Sequence, residues 1–182
     1  MRKLSILGGL ILFAAVPAVA QDNPKGEIAG TYTYVRIDTN GSSLGNLNCH
    51  GGGGSVAGNL NSYFGVVGEF SGCKVTGLPA GSPGVTAFTY LFGPRLTYRG
   101  HGSLEPFGEF LFGGARLSGG GTSQNAFAMA IGGGVDYKAT RSVAIRLAQF
   151  DYLYTKFDNG PSAQHQNNFR LQAGVVFRFG GR

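Results

Sequence analysis

The sequence predicts an all-β chain: an eight-stranded antiparallel up-and-down transmembrane β-barrel preceded by a cleavable signal peptide. Three observations lead there. The last stretch, NFRLQAGVVFRF from Asn168 to Phe179, puts Phe169, Leu171, Ala173, Val175, Phe177 and Phe179 on one face and Arg170, Gln172, Gly174, Val176 and Arg178 on the other. A side-chain period of two marks a strand, and an aromatic face backed by arginines suits lipid outside and a polar lumen inside. Similar runs, separated by Gly, Asn, Ser and Pro clusters, recur from Gly26 onward, the spacing of an all-β sandwich or barrel. Finally, Arg2 and Lys3 precede an apolar run from Ile6 to Val16, and Ala18-Val19-Ala20 follows. That is a secretory signal, with cleavage expected between Ala20 and Gln21.

An uncleaved helical anchor needs about 18 to 20 apolar residues, and this core is shorter and stops at Pro17. The signal peptide is therefore assigned to residues 1–20 and the barrel domain to 21–182. The whole chain has 15 Lys and Arg against 9 Asp and Glu, a formal charge of +6, and loss of Arg2 and Lys3 lowers it to +4. With no run of basic residues, this modest excess gives no support for a nucleic-acid partner. Mean hydropathy is near zero and no second long apolar run occurs, which excludes a helical membrane protein. It does not exclude a barrel, whose lipid-facing and lumen-facing residues average out along each strand.

Taken in order, the first run, Gly26 to Asp38, sets Tyr32 and Tyr34 against Thr31, Thr33 and Val35. The second, Gly53 to Leu60, turns Val56, Gly58 and Leu60 outward and Ser55, Ala57 and Asn59 inward. Asn61 and Ser62 make a tight turn, since their side chains bond the local backbone. The third run, Tyr63 to about Gly72, faces Phe64, Val66 and Phe70 outward and Glu69 inward. In the fourth, Thr86 to Arg99, Phe88, Tyr90, Phe92, Pro94, Leu96 and Tyr98 oppose Thr89, Gly93, Arg95 and Thr97, and Pro94 predicts a local irregularity because it lacks a ladder donor. The fifth run, Glu105 to Ser118, has Phe110 and Phe112 outward and Glu109 inward. The sixth, Ala126 to Lys138, has Phe127, Met129, Ile131, Val135 and Tyr137 opposite Asp136. In the seventh, Val143 to Phe157, Ile145 and Leu147 face out and Arg146 in, yet strict alternation would then put Gln149 and Asp151 in lipid. A β-bulge near Ala148 and Gln149 restores Phe150, Tyr152 and Tyr154 to the outside. The eighth is the closing stretch.

Eight strands close a sheet without an exposed edge, which hydrocarbon requires. The odd connections are read as roughly 14, 13, 7 and 10 residues and the even ones as about 2 to 5, the asymmetry of outer-membrane barrels, with both termini on the short-turn side.

The signal peptide, the GTYTYV opening, the NSYFGVVGEFSG, EPFGEFLFGGAR and AIRLAQFDYLYTKF segments and the terminal VVFRF together resemble the OmpA-type eight-stranded outer-membrane β-barrel family, over essentially all of the mature chain. The resemblance implies a bacterial outer-membrane location with periplasmic termini, and insertion into outer-membrane lipid by an assembly machinery that reads Phe177 and Phe179 on the last strand. The peptidoglycan-binding domain of larger members has no counterpart here, so cell-wall anchoring is not expected.

The inward set is then Glu69, Arg95, Glu109, Asp136, Arg146, Asp151, Arg170 and Arg178, four acids and four arginines. An eight-stranded barrel is just wide enough for side chains to fill, and buried charges are tolerated when paired, so these residues are read as a lumen plug. Chemistry finds little footing. His50 and His165 have no recognisable nucleophile, and Ser71 to Lys74 matches S-x-x-K spacing without its companion motifs. Cys49 and His50 are sequence neighbours that do not converge on one metal ion, and His101 lies at the other side. Gly51 to Gly54 lacks the Lys-Ser/Thr of a phosphate loop and is read as flexible. No cofactor is expected.

Two cysteines in an exported chain can pair. If the second hairpin turns about Asn61, Val56 meets Val66, Gly58 meets Phe64, and Cys49 meets Cys73, so a Cys49–Cys73 disulfide is predicted. The functional reading is a monomeric, non-enzymatic outer-membrane barrel with an envelope-structural or surface-interaction role through its outer loops. The alternatives are a small ion or solute channel and, more weakly, a lipid-A-modifying enzyme. A soluble lipocalin-like barrel, apolar inside and polar outside, conflicts with the charged residues opposite the aromatic face.

Overall fold

The computed structural model describes residues 23–37, 47–77, 81, 83–157 and 164–181; the proposed signal segment and its cleavage site, Ala20 and Gln21, lie outside them. The described residues form strands β1 (Gly26–Ile37), β2 (Leu47–Asn59), β3 (Phe64–Thr76), β4 (Val85–Thr97), β5 (Leu104–Gly119), β6 (Thr122–Lys138), β7 (Val143–Phe157) and β8 (Gln164–Phe179), and no helix. Each pairs antiparallel with the next and β8 closes on β1. The hydrogen-bonded line from Thr97 runs through Phe107, Gly134, Gln149, Gln172, Thr33, Gly51 and Cys73 and returns to β4 at Ala87. It comes back ten residues from its start. Such a stagger accompanies strands tilted by about 40° in a closed barrel.

Alternation sorts every strand into an outside and an inside. Outside, Phe88, Tyr90, Phe92, Leu96 and Tyr98 of the β4 face are exposed, as are Phe110, Phe112, Phe127, Ile131, Phe150 and Phe169 elsewhere. From Phe88 to Tyr98 this band rises about 24 Å along the axis at that tilt, which matches the apolar height of an outer-membrane barrel. Inside, the wall divides. Ala57, Val67, Leu91, Leu111, Ala128 and Leu153 belong to an apolar cluster, while acids and arginines fill the remainder. An aromatic exterior around a charged lumen is the inverse of the lipocalin arrangement.

Three local expectations meet the structure differently. First, the strands run further toward the end opposite the termini: β2 begins at Leu47, β3 reaches Thr76, β6 begins at Thr122 and β8 at Gln164. The odd connections shrink to 38–46, 77–84, 120–121 and 158–163, against 60–63, 98–103 and 139–142 at the other end. Polar and glycine residues there extend the ladder through backbone hydrogen bonds alone, which side-chain alternation does not report. Second, Gly51 to Gly54 are not a loose loop but the middle of β2, paired on both sides. A Cβ on Gly51 would collide with the Gly72 carbonyl oxygen, so glycine permits a close strand approach.

Third, the β2–β3 register pairs Val56 with Gly68, Gly58 with Val66 and Gly51 with Cys73. The hairpin therefore turns about Ser62, one position beyond Asn61. Asn61 Oδ1 accepts hydrogen bonds from the Tyr63 and Phe64 amides at 2.9 and 2.7 Å, holding a four-residue connection instead of a two-residue one. A shift of two in pairing keeps every side chain on its face. The disulfide survives it: Cys49 and Cys73 are bonded with their Cα atoms 5.5 Å apart, as diagonal neighbours rather than directly opposed ones. The irregularity expected at Pro94 is present: the β4–β5 ladder has a gap between the Phe92–Phe112 and Arg95–Glu109 pairs, and the register on either side is the same.

The β7 bulge appears where the phase slip requires it. Val135 pairs with Ala148 but Asp136 with Arg146, and the β8 register shifts between Arg146 and Gln149. Leu147 stays outside while Gln149 is fully buried. Because the barrel has no free edge, the refolded mature chain is expected to run as a compact band on a detergent gel and to slow after boiling; equal mobility of boiled and unboiled samples, with a helical circular-dichroism spectrum, would overturn this fold.

Candidate functional site

Among the described residues, the charged lumen is where the topology gathers many titratable side chains. Glu69, Arg95, Glu109, Asp136, Arg146, Asp151, Arg170 and Arg178 are all buried there. They form one web. At the end opposite the termini, Arg170 Nε and Nη2 reach Asp151 Oδ2 at 2.9 and 2.8 Å, and Nη1 reaches Glu69 Oε1. In the middle, Arg146 holds Asp136 with two bonds, Nε to Oδ1 at 2.9 Å and Nη2 to Oδ2 at 3.1 Å. Arg95 places Nε and Nη2 each 2.8 Å from Glu109 Oε2.

The inward set is larger than the eight residues expected from the sequence. Glu27, Glu105 and Arg99 join at the end with the termini: Arg99 Nη2 lies 2.8 Å from Glu27 Oε1 and Arg178 Nη2 lies 2.7 Å from Glu105 Oε2. Among the described residues six carboxylates thus face five guanidinium groups, not four facing four. Gln149 adds hydrogen-bond donors where the acids outnumber the arginines. Its Nε2 donates to Glu109 Oε1 at 2.7 Å, Asp151 Oδ2 at 3.0 Å and Glu69 Oε2 at 3.2 Å, while its Oε1 accepts from Arg146 Nη1 at 2.8 Å. A neutral amide stands among three acids where a further cation would otherwise be needed.

Phe107 is the other unforeseen member: the Arg146 and Arg95 guanidinium carbons stand 4.5 and 4.7 Å from its ring centroid, a cation–π arrangement in a buried site. Carrying the parity of Val35 back to Glu27, of Glu109 back to Glu105 and Phe107, and of Arg95 on to Arg99 would have found all four. The bridging role of Gln149 had no such signal, since it depends on residues from β3, β5 and β7 meeting across the lumen.

Above Arg170 the lumen opens into a cavity of about 160 Å³ whose wall includes Val35, Ile37, Val75, Leu117 and Leu153. The ion-pair web is its floor. Each acid of the web is held by an arginine, and three of them also by Gln149.

The remaining sequence candidates are dispersed. Ser71 faces inward and bonds Thr89 Oγ1 at 2.6 Å, while Lys74 points out, so the S-x-x-K pair lies on opposite faces. His50 is exposed on the outer wall, with Nδ1 2.7 Å from the Tyr32 hydroxyl, whereas Cys49 is buried in its disulfide. His101 sits in the 98–103 turn; His165 holds a register position opposite Lys156. Phe177 and Phe179 are exposed on the outer face of β8.

The family model for the outer membrane protein beta-barrel domain matches residues 6–179. No curated protein is matched by this sequence. Among solved structures, the chain resembles Neisserial surface protein A (NspA), with a TM-score of 0.67 at 16% identity over 85% of this chain and 97% of that one. Ail, the attachment invasion locus protein of Yersinia pestis, follows at 0.58 and 20% identity over 86% and 99%. OprG from Pseudomonas aeruginosa has a TM-score of 0.52 at 13% identity over 88% and 98%. At these identities the likeness is one of fold.

Proposed function

The chain belongs to the outer membrane protein beta-barrel domain family, and from that premise we propose that it is a closed, non-enzymatic barrel of the bacterial outer membrane, serving envelope structure and surface contact through the loops opposite its termini. The observation that carries this reading is the lumen web. From Glu27 and Glu105 at one end to Glu69 and Arg170 at the other, paired charges fill the cross-section. Ion pairs at both ends and in the middle of the lumen, joined through Gln149, leave hydrated ions no continuous path, and separating a buried pair is costly.

The termini take the periplasmic side in this reading, because the two longest connections, 38–46 and 77–84, lie at the other end. The barrel stands as a monomer in outer-membrane lipid, and its assembly machinery reads the exposed aromatics Phe177 and Phe179. Ail, whose name describes attachment and invasion, offers a precedent on the same fold for a surface role.

Planar-bilayer recording tests the claim against the channel alternative. The mature chain is expected to give no discrete conductance steps. Arg146→Ala, which removes the Asp136 and Gln149 bonds at once, is expected to lower stability without opening a pore, since Arg95 and Arg170 still occupy the section. Steady single-channel steps from the wild type, or a stable and conducting Arg146→Ala variant, would favour a gated ion path instead.

A further inference from the structure

All six carboxylates among the described residues face the lumen: Glu27, Glu69, Glu105, Glu109, Asp136 and Asp151. Among the described residues, the charged side chains of the outer wall are all cations. Toward the loop end these are Arg36 on β1, Lys74 on β3, Arg116 on β5 and Lys156 on β7, each exposed and each on an alternate strand.

The register shows that these four stand level. A line that climbs ten residues in eight strands rises by about 1.25 residues per strand, or about 2.5 for every two strands. The line from Arg36 passes Asn48 and reaches Thr76, and Lys74 is set back two residues from it. The line from Lys74 passes Thr86 and reaches Ser118, and Arg116 is again set back by two. The line from Gly114, two residues below Arg116, passes Phe127 and reaches Lys156. Each setback nearly cancels the climb, so the four cations lie within about 4 Å of one another along the barrel axis.

Aromatic side chains lie just below this level, on the same outward faces: Tyr34 two residues from Arg36, Phe70 four from Lys74, Phe112 four from Arg116 and Tyr154 two from Lys156. Aromatic belts mark the junction of hydrocarbon and headgroups, so the collar stands at headgroup height. Between Arg36 and Lys74 the wall is also rich in hydrogen-bonding groups. His50 pairs across the ladder with Lys74 and Asn48 with Arg36, and the Tyr34 hydroxyl donates to Asn48 at 2.8 Å. Asp38 and Asp158 lie outside the described residues; even if both were counted against the collar, four cations would exceed two carboxylates.

We propose that Arg36, Lys74, Arg116 and Lys156 form a collar that binds the phosphate groups of the glycolipid in the leaflet at the loop end. Arginine grips phosphate oxygens in bidentate fashion and lysine acts as a point charge, and four such groups spread around the wall engage several lipid molecules at once. The sector from Arg36 to Lys74, with His50 and Asn48 between, is the strongest site. This inference rests on the reading of the barrel as a membrane-spanning body with its loops outward. It extends that reading from the loops to the annulus of lipid around the wall.

The test is native mass spectrometry of the full mature barrel released from zwitterionic detergent micelles doped with bis-phosphorylated lipid A or with the same lipid after enzymatic dephosphorylation. The wild type is expected to retain lipid A adducts and to lose them when the phosphates are removed. Near an anionic surface each Lys or Arg is worth about fivefold in affinity, so R36Q/K74Q is expected to weaken retention about 25-fold, and R116Q/K156Q to weaken it less. The control K25Q/K138Q/R141Q alters exposed cations at the opposite end and is expected to bind as the wild type does. Equal retention of the two lipids, full retention by both collar variants, or loss confined to the control variant would each overturn the proposal. Displacement by an equal concentration of inorganic phosphate would also overturn it, by showing a site for small anions. Every sample is run boiled and unboiled on a gel: a wild type lacking the compact band would sink the barrel reading itself, whereas a compact wild type without phosphate-dependent adducts would sink only the collar.

Discussion

Arg170→Ala is expected to destabilise the barrel by about 3 to 5 kcal/mol, the cost of leaving buried charge without its partner. Among the described residues Arg170 is the cation within ion-pair distance of both Glu69 and Asp151. Arg146 differs, because its partner Asp136 also lies 4.0 Å from Arg178 Nη2. Without Arg170, two carboxylates would share the upper lumen with the Gln149 amide as their remaining donor, and their mutual repulsion adds to the desolvation cost. Urea unfolding in lipid vesicles, followed by far-ultraviolet circular dichroism since the chain has no tryptophan, measures the loss. The neutral combination E69Q/D151N/R170M should recover most of it, because it removes the charges along with the pair. A single variant that unfolds at the wild-type midpoint would mean that the web fills space without contributing stability.

Removal of the disulfide by Cys49→Ala with Cys73→Ala is expected to cost about 3 kcal/mol in the chain-entropy model. The bond spans 24 residues of sequence, which take in the β2–β3 turn and most of both strands. Cys49 is inaccessible and Cys73 nearly so, so the folded barrel should resist reductant that cleaves the bond readily in urea. A non-reduced digest of the exported protein should yield the Cys49 and Cys73 peptides joined. Two free, alkylatable thiols would refute the pairing, and a double variant as stable as the wild type would place the stabilisation elsewhere in the hairpin.

The double variant also separates two questions that the sequence had merged. Matching Cys49 to Cys73 directly across the ladder led to the right bond through the wrong register. The error was harmless to the faces, since a slip of two residues preserves parity, and harmless to the bond, since a diagonal pair also comes within disulfide range. What misled was the turn. Asn61 and Ser62 look like a two-residue connection, and only the hydrogen bonds from the Tyr63 and Phe64 amides to Asn61 Oδ1 show where the chain reverses.

By itself the sequence determined the number of strands, the face on which each side chain stands, the antiparallel up-and-down order and the bulge in β7. All of these follow from a period of two, which is a local property of the backbone and is written into every pair of neighbours. Strand ends were less legible where glycine and polar residues carry the ladder, because backbone hydrogen bonds leave no trace in side-chain alternation; Gly51 to Gly54 are the clearest case. Only the tertiary structure decided which acid meets which arginine, that Gln149 stands among three carboxylates, that Phe107 lies against two guanidinium groups, and that Arg36, Lys74, Arg116 and Lys156 are level. Each of these depends on the ten-residue stagger accumulated around the closed sheet. That stagger is a sum over eight pairings, and no single strand contains it.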